Sequence, residues 1–386
     1  MGTRYRVWAS DVRAAPAGSS DTMTMLLLTG FPGFLGSALL PRLLARRPGC
    51  TAVCLVQPQH LATARERVAE LEREHPHVLE RVELVTGDIT ASDLGLDATA
   101  RARLEAITEV WHLAAVYDLA VPPAFARRVN VEGTAHVLAF CEVLPRLTRL
   151  QYVSTCYVSG RYVGEFGEDV LDEGQPFRNH YESTKYEAEQ LVRDAMAGGL
   201  PATIYRPGIV VGDSTTGETL KFDGPYFIAG FLKRQPGPLV VVPKVGDPDV
   251  VRVCLVPRDF VVDAMDVLSV LEVSEGRTYA LTDPDPPTAR EVVDAFAARL
   301  AKRVVWVPLP LAPTHALIDR VPGMERLLGL PAEAVDYFAS PTTYSTSNTT
   351  ADLEGTGVRC PPFDEYADRL VDFMREHAEI GSGAMV

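Results

Sequence analysis

Met23-Thr-Met-Leu-Leu-Leu-Thr-Gly-Phe-Pro-Gly-Phe-Leu-Gly36 is the stretch whose reading decides the fold. Met23 to Thr29 is a short apolar run closed by a glycine, the pattern of a buried strand. Gly30-x-x-Gly33-x-x-Gly36 follows it and opens a helical pattern from Ser37 to Arg47. Pro41 falls inside that pattern and is expected to bend the helix, because it removes a backbone donor. A glycine turn set between a strand and a helix is the context in which such a fingerprint holds a pyrophosphate. The glycines let the backbone approach, and the helix N-terminus offers free N–H groups and positive potential. The candidate cofactor-binding residues of the turn are therefore Gly30, Phe31, Pro32, Gly33, Phe34, Leu35 and Gly36.

Outward from this turn the same rhythm repeats. Thr51–Val56, Val82–Asp88, Glu109–Ala115, Leu150–Thr155 and Ala202–Tyr205 read as further strands. Ala62–Arg73, Phe125–Leu144 and the segment around Tyr181 read as the helices between them. Such alternation predicts an α/β fold with a doubly wound parallel sheet covered on both faces. After Arg206 the rhythm changes. Gly212–Gly224 is rich in Gly, Thr, Ser and Asp, and Pro236–Pro248 in Pro, Gly and Val. Helical patterns return at Asp259–Leu271, Thr288–Ala301 and Phe363–His377, with short strands at Thr278–Leu281 and Val304–Val307. The expected division is a loose N-terminal extension over 1–22, a nucleotide-binding domain over 23–212 with 251–272 returning to it, and a smaller, mostly helical substrate-binding cap over 213–250 and 273–386. The cap should lie over the carboxyl ends of the strands, where doubly wound folds bind ligands.

Composition removes several classes of function. The formal charge of −14 argues against a nucleic-acid partner, which needs a basic surface. No apolar run approaches the ~18 residues of a membrane span. Met1–Thr22 has no apolar core of signal-peptide length; an upstream start ahead of Met23 and Met25 would also account for it. Cys50, Cys54, Cys141, Cys156, Cys254 and Cys360 are scattered without metal-ligand spacing, so no metal site is expected, and free thiols suit a reducing cytoplasm. Monomer and homodimer are equally compatible with the sequence.

The end of the second strand should distinguish the dinucleotides. A carboxylate there holds a ribose 2′-hydroxyl, whereas a basic group accepts a 2′-phosphate. The residue is Gln57, and the missing carboxylate favours NADP over NAD. Arg46, Arg47 and Arg65 are the arginines near enough in sequence to reach a phosphate. Tyr181 and Lys185, four apart, share one helix face. An ammonium beside a phenol favours the phenolate and lowers a pKa that is ordinarily about 10. The pair would then act as a proton donor or acceptor near neutral pH.

With these residues the chain resembles an extended short-chain dehydrogenase/reductase. The matching motifs are Thr29-Gly-Phe-Pro-Gly-Phe-Leu-Gly36, Gly87-Asp88-Ile89, His112-Leu-Ala-Ala115, Asn130-Val-Glu-Gly-Thr134, Val153-Ser-Thr155, Tyr181-x-x-x-Lys185 and Tyr205-Arg-Pro-Gly208, in the family's order. The style of Val110–Tyr117, Tyr152–Gly160 and Gly212–Gly224 is similar to the male-sterility branch, which holds fatty acyl-CoA reductases and thioester reductase domains. The resemblance implies a Rossmann domain and a catalytic set of Thr155, Tyr181, Lys185 and Asn130. It places Asp88 and Ile89 beside the adenine, Ala114 and Ala115 along the cofactor cleft, and Pro207 and Gly208 near the nicotinamide. It also implies that Tyr181 and Lys185 touch the cofactor, that Asn130 kinks its helix, and that Asn130 positions a water toward Lys185. Gln57 departs from the branch, which usually has an arginine there. Ser154 is the alternative to Thr155, since neighbours on a strand face opposite sides. His112 and Cys156 read as core residues.

The implied activity is NAD(P)H-dependent reduction of an acyl thioester, aldehyde or ketone, with Tyr181 as general acid. The substrate would be a small molecule or an acyl group on CoA or a separate carrier. A hydroxysteroid- or flavanol-type alcohol dehydrogenase would use the same residues. A nucleotide-sugar epimerase or dehydratase is disfavoured by Gln57, and a non-enzymatic cofactor-binding protein by the intact Tyr–Lys pair. Phe222, Tyr226, Phe227 and the Val304–Leu311 run are candidates for an apolar substrate pocket or for core.

Overall fold

Leu26, Leu27 and Leu28 point alternately to two different cores, which makes their strand the centre of the molecule. Leu26 and Leu28 pack with Leu39, Leu40 and Leu43 on one face of the sheet. Leu27 packs with Val137, Ala188 and Val192 on the other. An apolar run buried on both faces is what a parallel sheet covered by helices requires. The computed structural model describes residues 24–76, 79–117, 121–244, 247–308 and 340–381. The expected extension over 1–22, the 309–339 part of the expected cap and Leu311 lie outside the described residues.

The first half runs β1 (Met25–Thr29), α1 (Phe34–Arg46), β2 (Thr51–Val56), α2 (Leu61–Glu74), β3 (Val82–Thr86), α3 (Ala98–Leu104), β4 (Glu109–His112), α4 (Pro123–Arg127), α5 (Gly133–Val143), β5 (Arg149–Val153), β6 (Gly164–Phe166), α6 (His180–Ala197), β7 (Ala202–Pro207) and β8 (Ile209–Val211). The second half runs α7 (Pro225–Arg234), β9 (Leu239–Lys244), β10 (Leu255–Pro257), α8 (Arg258–Leu268), β11 (Thr278–Leu281), α9 (Ala289–Arg299), β12 (Arg303–Pro308), β13 (Thr342–Tyr344), α10 (Ser347–Leu353) and α11 (Phe363–Glu376). The main sheet has seven strands in the order β11-β7-β5-β4-β1-β2-β3, every neighbouring pair parallel. Strand order reverses between β1 and β4, and a crevice at the carboxyl ends of such a switch point is where this architecture holds ligands.

The second half builds its own core. Tyr226, Phe231, Phe296, Phe363, Tyr366 and Leu370 bring α7, α9 and α11 together. The α9 start is fixed by a capping box, with Thr288 Oγ1 accepting from Glu291 N–H at 3.2 Å and the Glu291 carboxylate accepting from Thr288 N–H at 2.7 Å. The short parallel pairs β8–β10 and β6–β13 attach this half to the first, while β9–β12 pairs within it.

One expectation changes. Residues 278–281, assigned to the cap, form β11, the edge strand of the main sheet beside β7. Tyr279 stacks on Tyr205 with ring centroids 6.1 Å apart, so side-chain packing and backbone ladder together recruit this strand. The helix expected over Phe125–Leu144 is present and runs continuously over Pro123–Val143, with a π turn at Arg128–Glu132 between α4 and α5. Among the described residues no helix is long and apolar enough to cross a membrane.

Candidate active site

The glycine turn closes β1 onto α1. Gly30 has φ +88, a conformation side chains rarely tolerate, and a Cβ there would lie 2.9 Å from Ala114 N. A Cβ on Gly33 or Gly36 would lie 2.7 or 2.6 Å from the Gly30 carbonyl oxygen. The three glycines thus pack backbone against backbone, leaving the start of α1 open. Its N-cap is Gly33, with no side-chain cap and no acidic residue in the first turn. Ser37 Oγ donates to Pro32 O at 2.9 Å and pins the loop. The Arg258 guanidinium stands over the Phe34 ring at 5.3 Å. An uncapped helix start behind a close-packed glycine turn fits a dinucleotide pyrophosphate.

The far end of this cleft holds Gln57, Asp88 and Ile89. Burial works to raise the Asp88 carboxyl, but hydrogen bonds from Thr90 and Gln57 and the charge of Arg128 outweigh it and hold it below the usual carboxylate range. Ile89 packs closely on α5, where a Cβ on Gly133 would lie 2.9 Å from its Cδ1. Two of the three arginines expected near a cofactor phosphate are elsewhere. Arg46 pairs with Asp266 at 2.6 Å and Arg47 with Glu109 at 3.2 Å, both at the C-terminal end of α1, because that end packs on α8. Arg65 is exposed on α2. Arg128, which the sequence did not single out, is the guanidinium felt by Asp88.

At the middle of the cleft Thr155 and Ser154 separate as strand alternation requires. Ser154 Oγ donates to Glu189 at 2.6 Å, inside a buried ion pair of Glu189 with Arg206. Thr155 turns the other way. Its hydroxyl reaches Pro207 O at 3.4 Å, accepts from Tyr157 N–H at 3.3 Å and forms a hydrogen bond with Tyr181. Cys156 is core: its Sγ lies 3.0 Å from Arg206 O, and burial pushes the thiol well up. Gly208 stands where a Cβ would lie 2.4 Å from Cys254 O.

Tyr181 is the second residue of α6, whose start is capped by Asn179 Oδ1 accepting from Glu182 N–H at 3.0 Å. The ring is half-buried and its phenol end enclosed. Burial pushes the phenol up to about 12, against the Thr155 hydrogen bond. This reverses the expected lowering by Lys185. The ammonium is turned to Tyr152 Oη at 3.1 Å and Val153 O at 2.8 Å, and burial pushes it down to about 8 against the pull of Glu189.

Asn130 sits in the π turn, as a helix-kinking residue should. Its Oδ1 accepts from Val116 N–H at 2.8 Å, and its Nδ2 donates to Val116 O at 2.9 Å and Thr184 Oγ1 at 3.0 Å. Both ends of the amide are engaged, so it braces the loop after β4 and touches the Lys185 helix through Thr184. Ala114 N–H donates to Thr29 Oγ1 at 3.2 Å, and Ala115 follows, half-buried, on the same cleft wall. His112 is a core residue, held between Thr29 and Thr134.

Beside Tyr181 the structure places two residues that the sequence did not assign to the site. Tyr117 lies near enough to Tyr181 to raise its phenol further, and Lys221 Nζ stands over the Tyr117 ring at 3.8 Å. Both belong to loops, which carry no periodicity to betray them. Tyr226 is buried in the second core, its Oη accepting from Gly212 N–H at 3.0 Å; Phe222 packs beside it with ring centroids 5.2 Å apart. Among the described residues no group of three or more His, Cys, Asp or Glu could hold a metal ion.

Residues 28–265 match the family model described as "Male sterility protein". The chain is 30% identical over 290 residues to the glycine betaine reductase ATRR of Emericella nidulans, covering 71% of this chain. It spans only 22% of that relative's length. The terminal R domain from the myxalamid PKS-NRPS biosynthetic pathway superposes with a TM-score of 0.77 at 26% identity, covering 94% of this chain and 93% of that one. A thiolation-reductase di-domain from an archaeal non-ribosomal peptide synthetase shares the fold, with a TM-score of 0.72 at 21% identity over 92% of this chain and 76% of that one.

Proposed function

The chain belongs to the male sterility protein family and is an NAD(P)-dependent oxidoreductase of the extended short-chain dehydrogenase/reductase type, and from that premise we propose that it reduces an acyl thioester with NADPH. The observation that carries this reading is the meeting of the Thr155 hydroxyl and the Tyr181 phenol between the glycine turn and Gly208, with Ser154 turned away to Glu189. Two neutral O–H groups at that place suit an oxygen that gains negative charge. The likeness to a terminal R domain over nearly its whole length supports the thioester, and the thiolation-reductase di-domain supports a carrier-held acyl group. The absence of a carboxylate at Gln57 supports NADPH.

A bound nicotinamide cofactor would supply the hydride that the carbonyl carbon takes up. Thr155 hydrogen-bonds the carbonyl oxygen and holds it in line with Tyr181. The Tyr181 O–H, kept protonated by burial, gives its proton to that oxygen as charge develops. The hemithioacetal so formed collapses to an aldehyde and a thiol. Lys185 would hold the cofactor ribose, Gly30 to Gly36 the pyrophosphate, and Asp88 and Ile89 the adenine end. Tyr117 and Lys221, beside Tyr181, frame the acyl group.

The test is a panel of acyl-CoAs, acyl-carrier proteins, aldehydes, ketones and sugar nucleotides, each with NADPH and NADH, followed by nicotinamide absorbance and product analysis. Aldehyde release from a thioester with NADPH is the expected result. Turnover confined to ketones or sugar nucleotides, or to NADH, sinks the corresponding part of the reading.

A further inference from the structure

Behind Lys185 lies a chain of buried polar groups that the proposed chemistry does not use. Thr29, His112, Thr134 and Tyr152 are all nearly inaccessible and come from β1, β4, α5 and β5. Their hydrogen bonds can be assigned one by one. Thr29 Oγ1 accepts from the N–H groups of Leu113 and Ala114, each at 3.2 Å. Its own proton therefore goes to His112 Nδ1 at 2.8 Å. A neutral imidazole accepting at Nδ1 carries its proton on Nε2, which donates to Thr134 Oγ1 at 3.1 Å. The Thr134 proton goes to the Asn130 carbonyl at 2.6 Å. The Tyr152 phenol is hydrogen-bonded to Thr134; because Thr134 has only a lone pair left to offer, the phenol O–H is assigned by elimination as the donor of that bond. What the phenol oxygen presents to Lys185 Nζ, 3.1 Å away, is an acceptor.

We propose that Tyr152 is the positioning residue of Lys185, its phenol oxygen locked as an acceptor for the ammonium by the fixed chain Thr29–His112–Thr134. The proposal rests on the reading of Lys185 as a cofactor-holding cation. The ammonium also stands 4.7 Å from the Tyr152 ring centroid, so ring and oxygen both favour its charged form. The other titratable groups around it are Glu189 on its own helix, Tyr181 one turn before it and His112 on β4. Burial, aided by the Lys185 charge, pushes His112 down to about 3, so that it stays neutral, as the assigned tautomer requires. The same chain ties the strand before the glycine turn to the lysine, so the two ends of the cofactor cleft share one rigid polar spine.

Removing the Tyr152 oxygen takes an acceptor from a buried ammonium, which then loses its proton at lower pH. The experiment is a fluorescence titration of NADPH and NADH onto the protein across neutral and alkaline pH, with no substrate present. In Tyr152→Phe the alkaline loss of cofactor affinity should move down by about one pH unit, the size of one charge-assisted hydrogen bond. Thr134→Val, which leaves the phenol in place but removes the acceptor of its O–H, should move it in the same direction by less. Lys185→Met should abolish that pH dependence. An unmoved alkaline limb in both Tyr152→Phe and Thr134→Val, with the limb lost in Lys185→Met, overturns the role of Tyr152 alone. A limb that persists in Lys185→Met overturns the cofactor role of Lys185 and this proposal with it. If Tyr152→Phe does not fold by circular dichroism, Thr134→Val decides the matter.

Discussion

Tyr181 is held as an acid, not as a phenolate. Its phenol sits at about 12 because it is enclosed, so near neutral pH it is fully protonated and ready to donate. Tyr181→Phe should lower turnover ~10²- to 10⁴-fold while NADPH affinity is unchanged, as read by steady-state kinetics and fluorescence titration. His112 carries a separate, structural signature. Its imidazole is pushed down to about 3, from an ordinary 6.5, so as pH falls below 6.5 the unfolded chain takes up a proton that the folded protein refuses. Stability should therefore fall toward acid through this window, by up to about 1.4 kcal/mol per pH unit from this residue. His112→Asn should be less stable than wild type at neutral pH but show a flatter acid slope, measured by urea unfolding at a series of pH values. That only one of Ser154 and Thr155 could face the cleft was legible in the sequence, because a strand has only two faces; which of the two it is came from the resemblance to the family. The partner of Lys185 was not, since Tyr152 lies on a different element and looks like any strand tyrosine.

At the scale of elements, the glycine turn is the part most tightly fixed. In Gly36→Ala the new Cβ would meet the Gly30 carbonyl at 2.6 Å and Phe31 N at 3.3 Å, both backbone atoms that cannot swing aside. The turn must open, at a cost of about 1–3 kcal/mol. Calorimetry should show a lowered Tm and a cofactor titration a weakened NADPH affinity; an unchanged affinity would remove this turn from the cofactor site. The strand–turn–helix order announced this element at once, because its signal is local and carried by backbone-permissive residues. The π turn at Arg128–Glu132 has no signal in the periodicity, and only the family resemblance put a kink at Asn130. Helical periodicity runs through Phe125–Leu144 without a gap, and only the amide of Asn130 reaching across to Val116 marks the widened turn.

Over the whole molecule, the two halves are fastened by Glu168. This buried carboxylate accepts from Ala280 N–H at 2.8 Å on β11 and from Asn348 N–H at 2.5 Å, Thr349 N–H at 3.2 Å and Thr349 Oγ1 at 2.8 Å at the start of α10. Glu168→Ala leaves several buried donors unpaired and should cost about 2–3 kcal/mol, with faster proteolysis within 340–360. An unchanged proteolytic pattern would show that the two halves hold together without it. The sequence conveyed the parallel sheet and its helices well, because each is written in a local period. It placed the boundary of the cap wrongly, because β11 is recruited across the intervening cap by Tyr279 packing on Tyr205. That late edge strand has a consequence for biosynthesis. A ribosome delivers β7 long before β11, so the nascent sheet waits with an open edge of unpaired N–H and C=O groups through the synthesis of the intervening segment. Completion needs a contact far apart along the chain, which makes it a slow step. During that interval the growing polypeptide is most exposed to pairing with a neighbour of its own kind.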